Sequence, residues 1–259
     1  MKKISIILPA LGGGGAERLH VNLAKDWLQR GFKVEFILMH KDGDRTEELL
    51  SLLSKEISIV NFGINHTPQL LLPLAKHLRT SSPNVTLVPM WPITSYSIIA
   101  WILSGKIGKL YVSDHIQLSI TAKHEIYVPQ LYLKWSIRLT YPFANGVIAV
   151  SNGVKKDLSK ISGFKENKIK VIYNPVATGV SSYRESQDVR VKLWGGNYTY
   201  NILSVGNLKK QKDHETLLKA FYLLPKELNA KLIILGEGNL RNHLSMLIEK
   251  LDLLDRVDL

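Results

Sequence analysis

The chain has no cysteine among its 259 residues. That absence excludes a disulfide scaffold, a thiolate metal site and a cysteine nucleophile, and it suits a reducing cytoplasm. Long apolar runs are missing too. The longest, Ile98 to Leu103 with its neighbours, falls well short of the roughly 20 residues that cross a bilayer. Met1-Lys2-Lys3 ahead of Ile4 to Leu8 has the charge of a signal peptide, but the apolar run before Pro9 is too short for one, so no export is expected. Acidic residues are in deficit: 22 Asp and Glu stand against 34 Lys and Arg, a formal charge of +12. Such an excess draws a protein toward polyanions, whether phosphorylated ligands, anionic lipid or nucleic acid. No helix-turn-helix, RRM or zinc pattern occurs, so nucleic acid is not an expected partner. Solenoid repeats and low-complexity tracts are absent as well. The sequons at Asn65, Asn84 and Asn197 read as chance matches, because Asn84 opens an apolar strand-like run.

What the chain does have is a glycine-rich corner, Gly12-Gly13-Gly14-Gly15, between the apolar run Ile4 to Leu8 and a helical stretch from Ala16 to Arg30. Successive glycines remove every β-carbon where the chain reverses, and the following helix points free N–H groups and its positive dipole end at the space so opened. An anionic ligand is expected there.

Apolar runs of strand length then alternate with helical stretches: Ile4 to Leu8, Val34 to Met39, Ile57 to Asn61, Val85 to Pro89, Leu110 to Ser113 and Val147 to Val150. Continuous apolar strands separated by helices predict an α/β protein with a parallel sheet covered on both faces. Leu19, Leu23, Trp27 and Leu28 form the apolar side of the first helix, which Gly31 ends. Ser151 is placed to cap a helix reaching about Lys160, and Lys170 to Ile172 supplies a further strand. Residues 1–176 thus read as one domain. Ala177 to Tyr198 is rich in Ser, Gly and charge without sustained period and reads as a linker. From residue 199 the alternation restarts: strand Tyr200 to Val205, helix Asp213 to Leu224, strand Leu232 to Leu235, helix Leu240 to Leu251 and a last strand at Val257 to Leu259. So few strands predict a second sheet, over 199–259, with an unpaired edge and uncovered apolar helix faces.

Two common nucleotide motifs fail. From Gly12 or Gly13 the third glycine of G-x-G-x-x-G falls on Glu17 or Arg18, and Met39-His40-Lys41 stands where an acidic ribose ligand belongs. No G-x-x-x-x-G-K-[ST] occurs. Asp42-Gly43-Asp44 has the form of a metal-binding D-x-D but lies in an ordinary turn, so no metal is expected.

Gly14-Gly15-Ala16-Glu17-Arg18, with Val21-Asn22-Leu23-Ala24 and Arg30-Gly31-Phe32-Lys33-Val34, resembles the opening of the retaining glycosyltransferases of family 4. Val150-Ser151-Asn152, Val171 to Val176, Val205-Gly206-Asn207-Leu208-Lys209-Lys210-Gln211-Lys212 and Leu235-Gly236-Glu237-Gly238 resemble later segments of that family, in its order. The resemblance implies the GT-B fold: a complete N-terminal Rossmann-like domain on the acceptor side, followed by a partial C-terminal Rossmann-like domain for the nucleotide sugar. It implies transfer of a sugar from a nucleotide-diphosphate donor to a glycan or lipid-linked acceptor in cell-surface polysaccharide synthesis, with no separate cofactor. His115 would contact the donor sugar; Gly14, Gly15, Asn207, Lys212 and Glu237 would bind the donor, Asn207 replacing the family's usual arginine. Lys209, Lys210 and Lys212 equally fit a solvated basic turn, and His20 reads as structural.

The family's E-x7-E pair lies beyond the equivalent of Leu259, and Glu249 does not replace it, since Val257 stands where the second carboxylate would fall. On this resemblance the chain is a truncated product of low activity or one half of an enzyme completed by a second chain. A non-catalytic module that binds a sugar nucleotide or glycan is the alternative. Tyr127, Tyr132, Trp135, Tyr141 and Phe143, interleaved with Lys123, Lys134 and Arg138, suit either a core-packed helix or a membrane interface. The expected location is therefore cytoplasmic, with peripheral attachment to the inner face of the cell membrane left open.

Overall fold

The computed structural model describes residues 1–12, 14–40, 56–124, 128–175 and 187–259. Gly13, the Asp42-Gly43-Asp44 turn, Tyr127, Val176 and the Lys123 side chain lie outside that description. The chain divides into two compact units, Met1–Thr178 and Gly179–Leu259.

In the first unit, seven parallel strands run β1 (Lys3–Leu8), β2 (Lys33–Leu38), β3 (Ser58–Asn61), β4 (Val85–Pro89), β5 (Lys109–Asp114), β6 (Gly146–Ala149) and β7 (Ile169–Val171). They lie in the order β3-β2-β1-β4-β5-β6-β7. The order reverses between β1 and β4, and open α/β sheets bind ligands at the carboxyl edge of such a switch point. The helices are α1 (Gly15–Gln29), α2 (Leu71–Ser81), α3 (Ile93–Leu103), α4 (Leu118–His124), α5 (Gln130–Thr140) and α6 (Asn152–Ser162). Ser151 caps α6 as its position predicts, its hydroxyl accepting from the Val154 N–H at 3.2 Å.

The two sheet faces are covered unequally. On one, Ile7, Ile37, Val88, Val112 and Val147 pack against Leu74, Leu78, Ile98, Trp101, Leu133, Ile137 and Leu158 in a single large core. On the other, α1 lays Val21 and Ala24 over Ile6, Leu8, Val34, Phe36 and Leu38. Beside α1 that second face stays open as an apolar groove of about 320 Å³, floored by Val85, Leu87, Tyr111 and Ile148 and walled by Leu19, Leu23, Trp27 and Ile172.

Glu35 breaks the apolar pattern of β2. It is 2% exposed. Lys3 Nζ lies 2.7 Å from its carboxylate, Ser5 and Ser81 donate to it at 2.5 and 2.7 Å, and His77 Nε2 sits 3.4 Å away. Burial pushes the carboxyl up, but the hydrogen bonds from His77, Lys3, Ser5 and Ser81 outweigh it and hold the pKa at about 2. The cluster ties β1, β2 and α2 together at the amino ends of the strands.

The second unit opens with α7 (Gln187–Trp194), a helix inside the stretch whose composition reads as a linker. Three parallel strands follow, β8 (Tyr200–Val205), β9 (Ala230–Leu235) and β10 (Val257–Asp258), in the order β10-β9-β8. Helices α8 (His214–Tyr222) and α9 (Arg241–Lys250) place Leu218, Phe221, Leu244 and Ile248 over Leu232 and Ile234. On the opposite face Leu203, Val205 and Leu235 are exposed, so among the described residues the helices cover one side of this sheet, and the apolar surface left open is a sheet face where helix faces were expected.

A folded carboxylate with a depressed pKa adds stability above its unfolded value and loses it as pH falls. The Glu35 contribution should therefore be complete above about pH 4.5 and fade toward about pH 2. Glu35→Ala, which strands Lys3 and the two serines, should cost roughly 2–4 kcal/mol at neutral pH in urea unfolding. A loss below about 0.5 kcal/mol would mean that the cluster is not needed to hold the strands.

Candidate functional site

The carboxyl ends of β1, β4 and β5 meet the first turn of α1. Gly14 caps that helix in extended conformation and its carbonyl accepts from the Arg18 N–H at 3.1 Å. A β-carbon on Gly15 would meet nothing within 4 Å, so the backbone faces open space here. His20, one turn further on, is buried; its Nδ1 lies 2.7 Å from the Ala16 carbonyl. Its ring meets the ring of His115 edge to face, with centroids 5.5 Å apart. The helix after the glycine corner is thus joined to the end of β5 through two imidazoles, and His20, which reads as structural from sequence, is part of the same site as His115.

His115 also contacts Ser113, whose hydroxyl lies 3.2 Å from Nε2. Its Nδ1 is buried without a partner. Burial and the facing His20 lower the pKa of His115 to about 4, and burial lowers that of His20 as well. Near neutral pH both rings are uncharged. His115 therefore offers hydrogen bonds and not positive charge.

Its neighbour Asp114, which the sequence pattern does not single out, is a buried acid beside it. The side chain is fully buried. Tyr141 donates to Oδ2 at 2.9 Å, and Thr94 stands 2.9 Å from the same tyrosine hydroxyl. Oδ1 has no hydrogen-bond partner. Burial raises the carboxyl to about 7, against the opposing effects of Tyr141 and the Trp91 backbone. Trp91 follows Met90, held at φ 67° after β4 and donating to the Ser113 carbonyl at 3.0 Å. Only this lone acidic letter at a strand end could have marked Asp114.

In the second unit the ends of β8 and β9 approach so closely that a β-carbon on Gly236 would lie 2.0 Å from the Gly206 carbonyl oxygen. Gly238, at φ 158°, lies against Leu208, whose carbonyl oxygen would be 2.5 Å from a β-carbon there. Lys212 lays its aliphatic stem along Gly206, where a β-carbon would come within 3.2 Å of Cε. Lys212 and Asn207 are exposed, and no ion pair is recorded for Lys212 among the described residues. Glu237 is differently engaged: Arg241 grips it through two nitrogens at 2.7 and 2.9 Å, which lowers its pKa. Gly206, Asn207 and Lys212 therefore share one strand-end corner, while Glu237 is committed to an ion pair beside it. Among the described residues no group of three His, Asp or Glu side chains is placed to hold a metal ion.

The buried carboxyl has a measurable signature. Between its unfolded value of 3.8 and its folded value of about 7 the native state keeps a proton that the unfolded chain releases, so the contribution of Asp114 to stability falls as pH rises through that window. His115 acts in the opposite sense, its contribution fading as pH drops from 6.5 toward about 4. Asp114→Asn removes the first dependence. Urea titrations at about pH 5 and about pH 8 should show the variant gaining on the wild type at the higher pH. An equal difference at both would refute a shifted carboxyl.

Comparison with known proteins places these features in a family. The model described as Glycosyltransferase Family 4 matches residues 13–180, and that described as Glycosyl transferases group 1 matches residues 196–259. A Campylobacter jejuni N-acetylgalactosamine-N,N'-diacetylbacillosaminyl-diphospho-undecaprenol 4-alpha-N-acetylgalactosaminyltransferase is 28% identical, over 99% of this chain and 68% of its own length. The N-acetyl-alpha-D-glucosaminyl L-malate synthase of Bacillus anthracis is 23% identical over 96% of this chain and 65% of its own. Among solved structures, Anabaena HepE in complex with UDP-glucose superposes with a TM-score of 0.76 at 22% identity, covering 100% of this chain and 68% of HepE. The lipopolysaccharide outer core galactosyltransferase WaaB gives 0.68 at 20% identity, over 99% of this chain and 67% of WaaB. The chain thus spans about two thirds of the length of these relatives. It has the GT-B fold, and with one family model matching well over half of its residues it belongs to glycosyltransferase family 4.

Proposed function

We propose that the protein transfers a hexose-type sugar, with retention at the anomeric carbon, from a nucleotide-diphosphate sugar to a glycan or lipid-linked acceptor in cell-surface polysaccharide synthesis. The observation that carries this reading is the corner at Gly206, where backbone without a side chain lies beside the stem of Lys212, a lysine with no ion pair among the described residues. As the bond between the sugar C1 and the diphosphate oxygen breaks, negative charge builds on the leaving group, and as the new C1–O bond forms the acceptor hydroxyl gives up its proton to the departing diphosphate oxygen. Lys212 supplies a point charge for that leaving group and Asn207 a hydrogen bond, so that no further cofactor is required. His115, neutral at working pH, offers its unpartnered Nδ1 to a sugar hydroxyl. Gly15 gives a phosphate or sugar room at the α1 terminus, whereas the space beside Gly14 is taken by the Glu17 carboxylate, 2.5 Å from where a β-carbon would stand, which argues against the expected donor contact at Gly14.

The relatives named above favour this reading: two carry transferase names ending on undecaprenol-linked or lipopolysaccharide acceptors, and HepE was solved with UDP-glucose. By the same likeness the donor is a uridine nucleotide. No helix among the described residues is long and apolar enough to cross a membrane, and we place the work at the inner face of the cell membrane, where such acceptors are assembled.

Calorimetry with UDP and UDP-sugars, paired with an assay of UDP release, tests the reading. Loss of a charge-assisted contact should weaken UDP binding about 10- to 100-fold in Lys212→Ala. Asn207→Ala should lose less, and His115→Ala should reduce sugar transfer more than UDP affinity. Unchanged UDP affinity in Lys212→Ala removes that lysine from the site. Tight donor binding without turnover, with any acceptor, would make the protein a sugar-nucleotide-binding module instead.

A further inference from the structure

Helix α5 carries two apolar faces. Leu133, Ile137 and Thr140 point into the core, as a surface helix requires. Yet Leu131, Trp135 and Leu139, spaced by four, and Phe143 four residues on, are 65%, 46%, 62% and 52% exposed. Spacing by four keeps Leu131, Trp135 and Leu139 on one helix face, and Phe143 follows them in the 3-10 turn Tyr141–Phe143, so the exposed apolar surface runs from α5 into that turn. Helix α3 packs alongside, joined by Thr140 donating to Ser95 at 3.2 Å and by the Tyr96 and Tyr132 hydroxyls 3.0 Å apart. It adds exposed Ile99 and Leu103. A contiguous patch of this kind marks an interaction site, not ordinary surface.

Charge narrows the partner. Residues 93–150 contain Lys106, Lys109, Lys123, Lys134 and Arg138 but only two acids, Asp114 and Glu125. Asp114 is buried, and Glu125 lies outside the described residues. The cations sit against the stripe itself: Arg138 lies 5.7 Å from the Trp135 ring centroid and Lys106 Nζ 5.8 Å from that of Phe143. Next to α5, Lys134 and Lys160 line a groove of about 600 Å³ with Gln130 and Leu131. The acid lining that groove, Asp157, is occupied by the Ser119 N–H at 3.1 Å and by the Ser119 hydroxyl.

We propose that this α3–α5 face docks on an anionic lipid bilayer, with the Leu131–Trp135–Leu139–Phe143 stripe in the headgroup and upper acyl region. Lys106, Lys134, Arg138 and Lys160 would pair with lipid phosphates. Aliphatic and aromatic side chains rimmed by cations match that interface, where a ring buries its apolar body and a basic side chain reaches back to the phosphate level. A protein partner would need acidic groups of its own opposite four cations; a bilayer supplies them wherever the face lands. The inference stands independently of the transfer reaction.

Flotation with vesicles tests it. The full chain should float with vesicles containing about 30% phosphatidylglycerol and remain mostly unbound with phosphatidylcholine alone. Trp135→Ser combined with Leu139→Ser should weaken binding at least about tenfold. Lys134→Glu combined with Arg138→Glu, both at exposed positions, should weaken it by a similar factor and remove its salt dependence. Circular dichroism and UDP affinity, unchanged in both variants, would show that the fold is retained. The proposal is overturned if the wild type stays unbound with anionic vesicles or if both variants float like it. It is overturned too if light scattering shows a wild-type dimer that the apolar double variant turns into a monomer, which would make the face a contact between copies. Loss of UDP binding by the wild type, with flotation intact, would count against sugar transfer alone.

Discussion

Parallel pairing is the constraint from which the rest of the molecule follows. A strand that runs beside its predecessor in the same direction must be reached by a crossover, so each connection passes through a helix or a long loop and all carboxyl ends gather on one edge. In the first unit this brings the glycine corner after β1, the Met90–Trp91 turn after β4 and the Asp114–His115 step after β5 to the same edge. In the second it brings Gly206 and Gly236 together after β8 and β9. The opposite edge is left to structural work, and there the Glu35 cluster sits.

That edge is electrostatically unusual for a protein of net charge +12. In the first unit three buried groups stand there: two imidazoles that resist protonation and a carboxyl whose pKa burial raises. Positive charge is concentrated elsewhere, at the Lys209–Lys212 turn of the second unit and on the lysines and arginine around α5.

Much of the fold is legible in the chain because parallel, doubly covered strands are apolar at consecutive positions. Ile4 to Leu8 and Val85 to Pro89 declare themselves, and Ser151 and Gly31 mark helix ends through local chemistry. What stays hidden depends on distant partners. Glu35 occupies an apolar run and is tolerated only because Lys3, Ser5 and Ser81 arrive from other elements. The His20–His115 contact joins residues 95 positions apart in the chain. Helix Gln187–Trp194 lacks a clear amphipathic period and escapes notice for that reason. The roles of Lys212 and His115 came from resemblance, since neither spacing nor composition separates them from solvated side chains.

The close approach of Gly206 and Gly236 also settles how the second sheet is aligned. Val205 pairs with Leu235 at the last rung of the ladder, and the next pair is the one that touches backbone to backbone. A slip of either strand by a single residue would drive Leu235 or Glu237 into the Gly206 carbonyl. Because side chains alternate between faces, the same slip would also turn the buried Ile202, Leu232 and Ile234 set outward. With one sheet face bare, hydrophobic burial discriminates less strongly between alignments than it does in the first unit, and the paired glycines supply a steric key that does not depend on what covers that face.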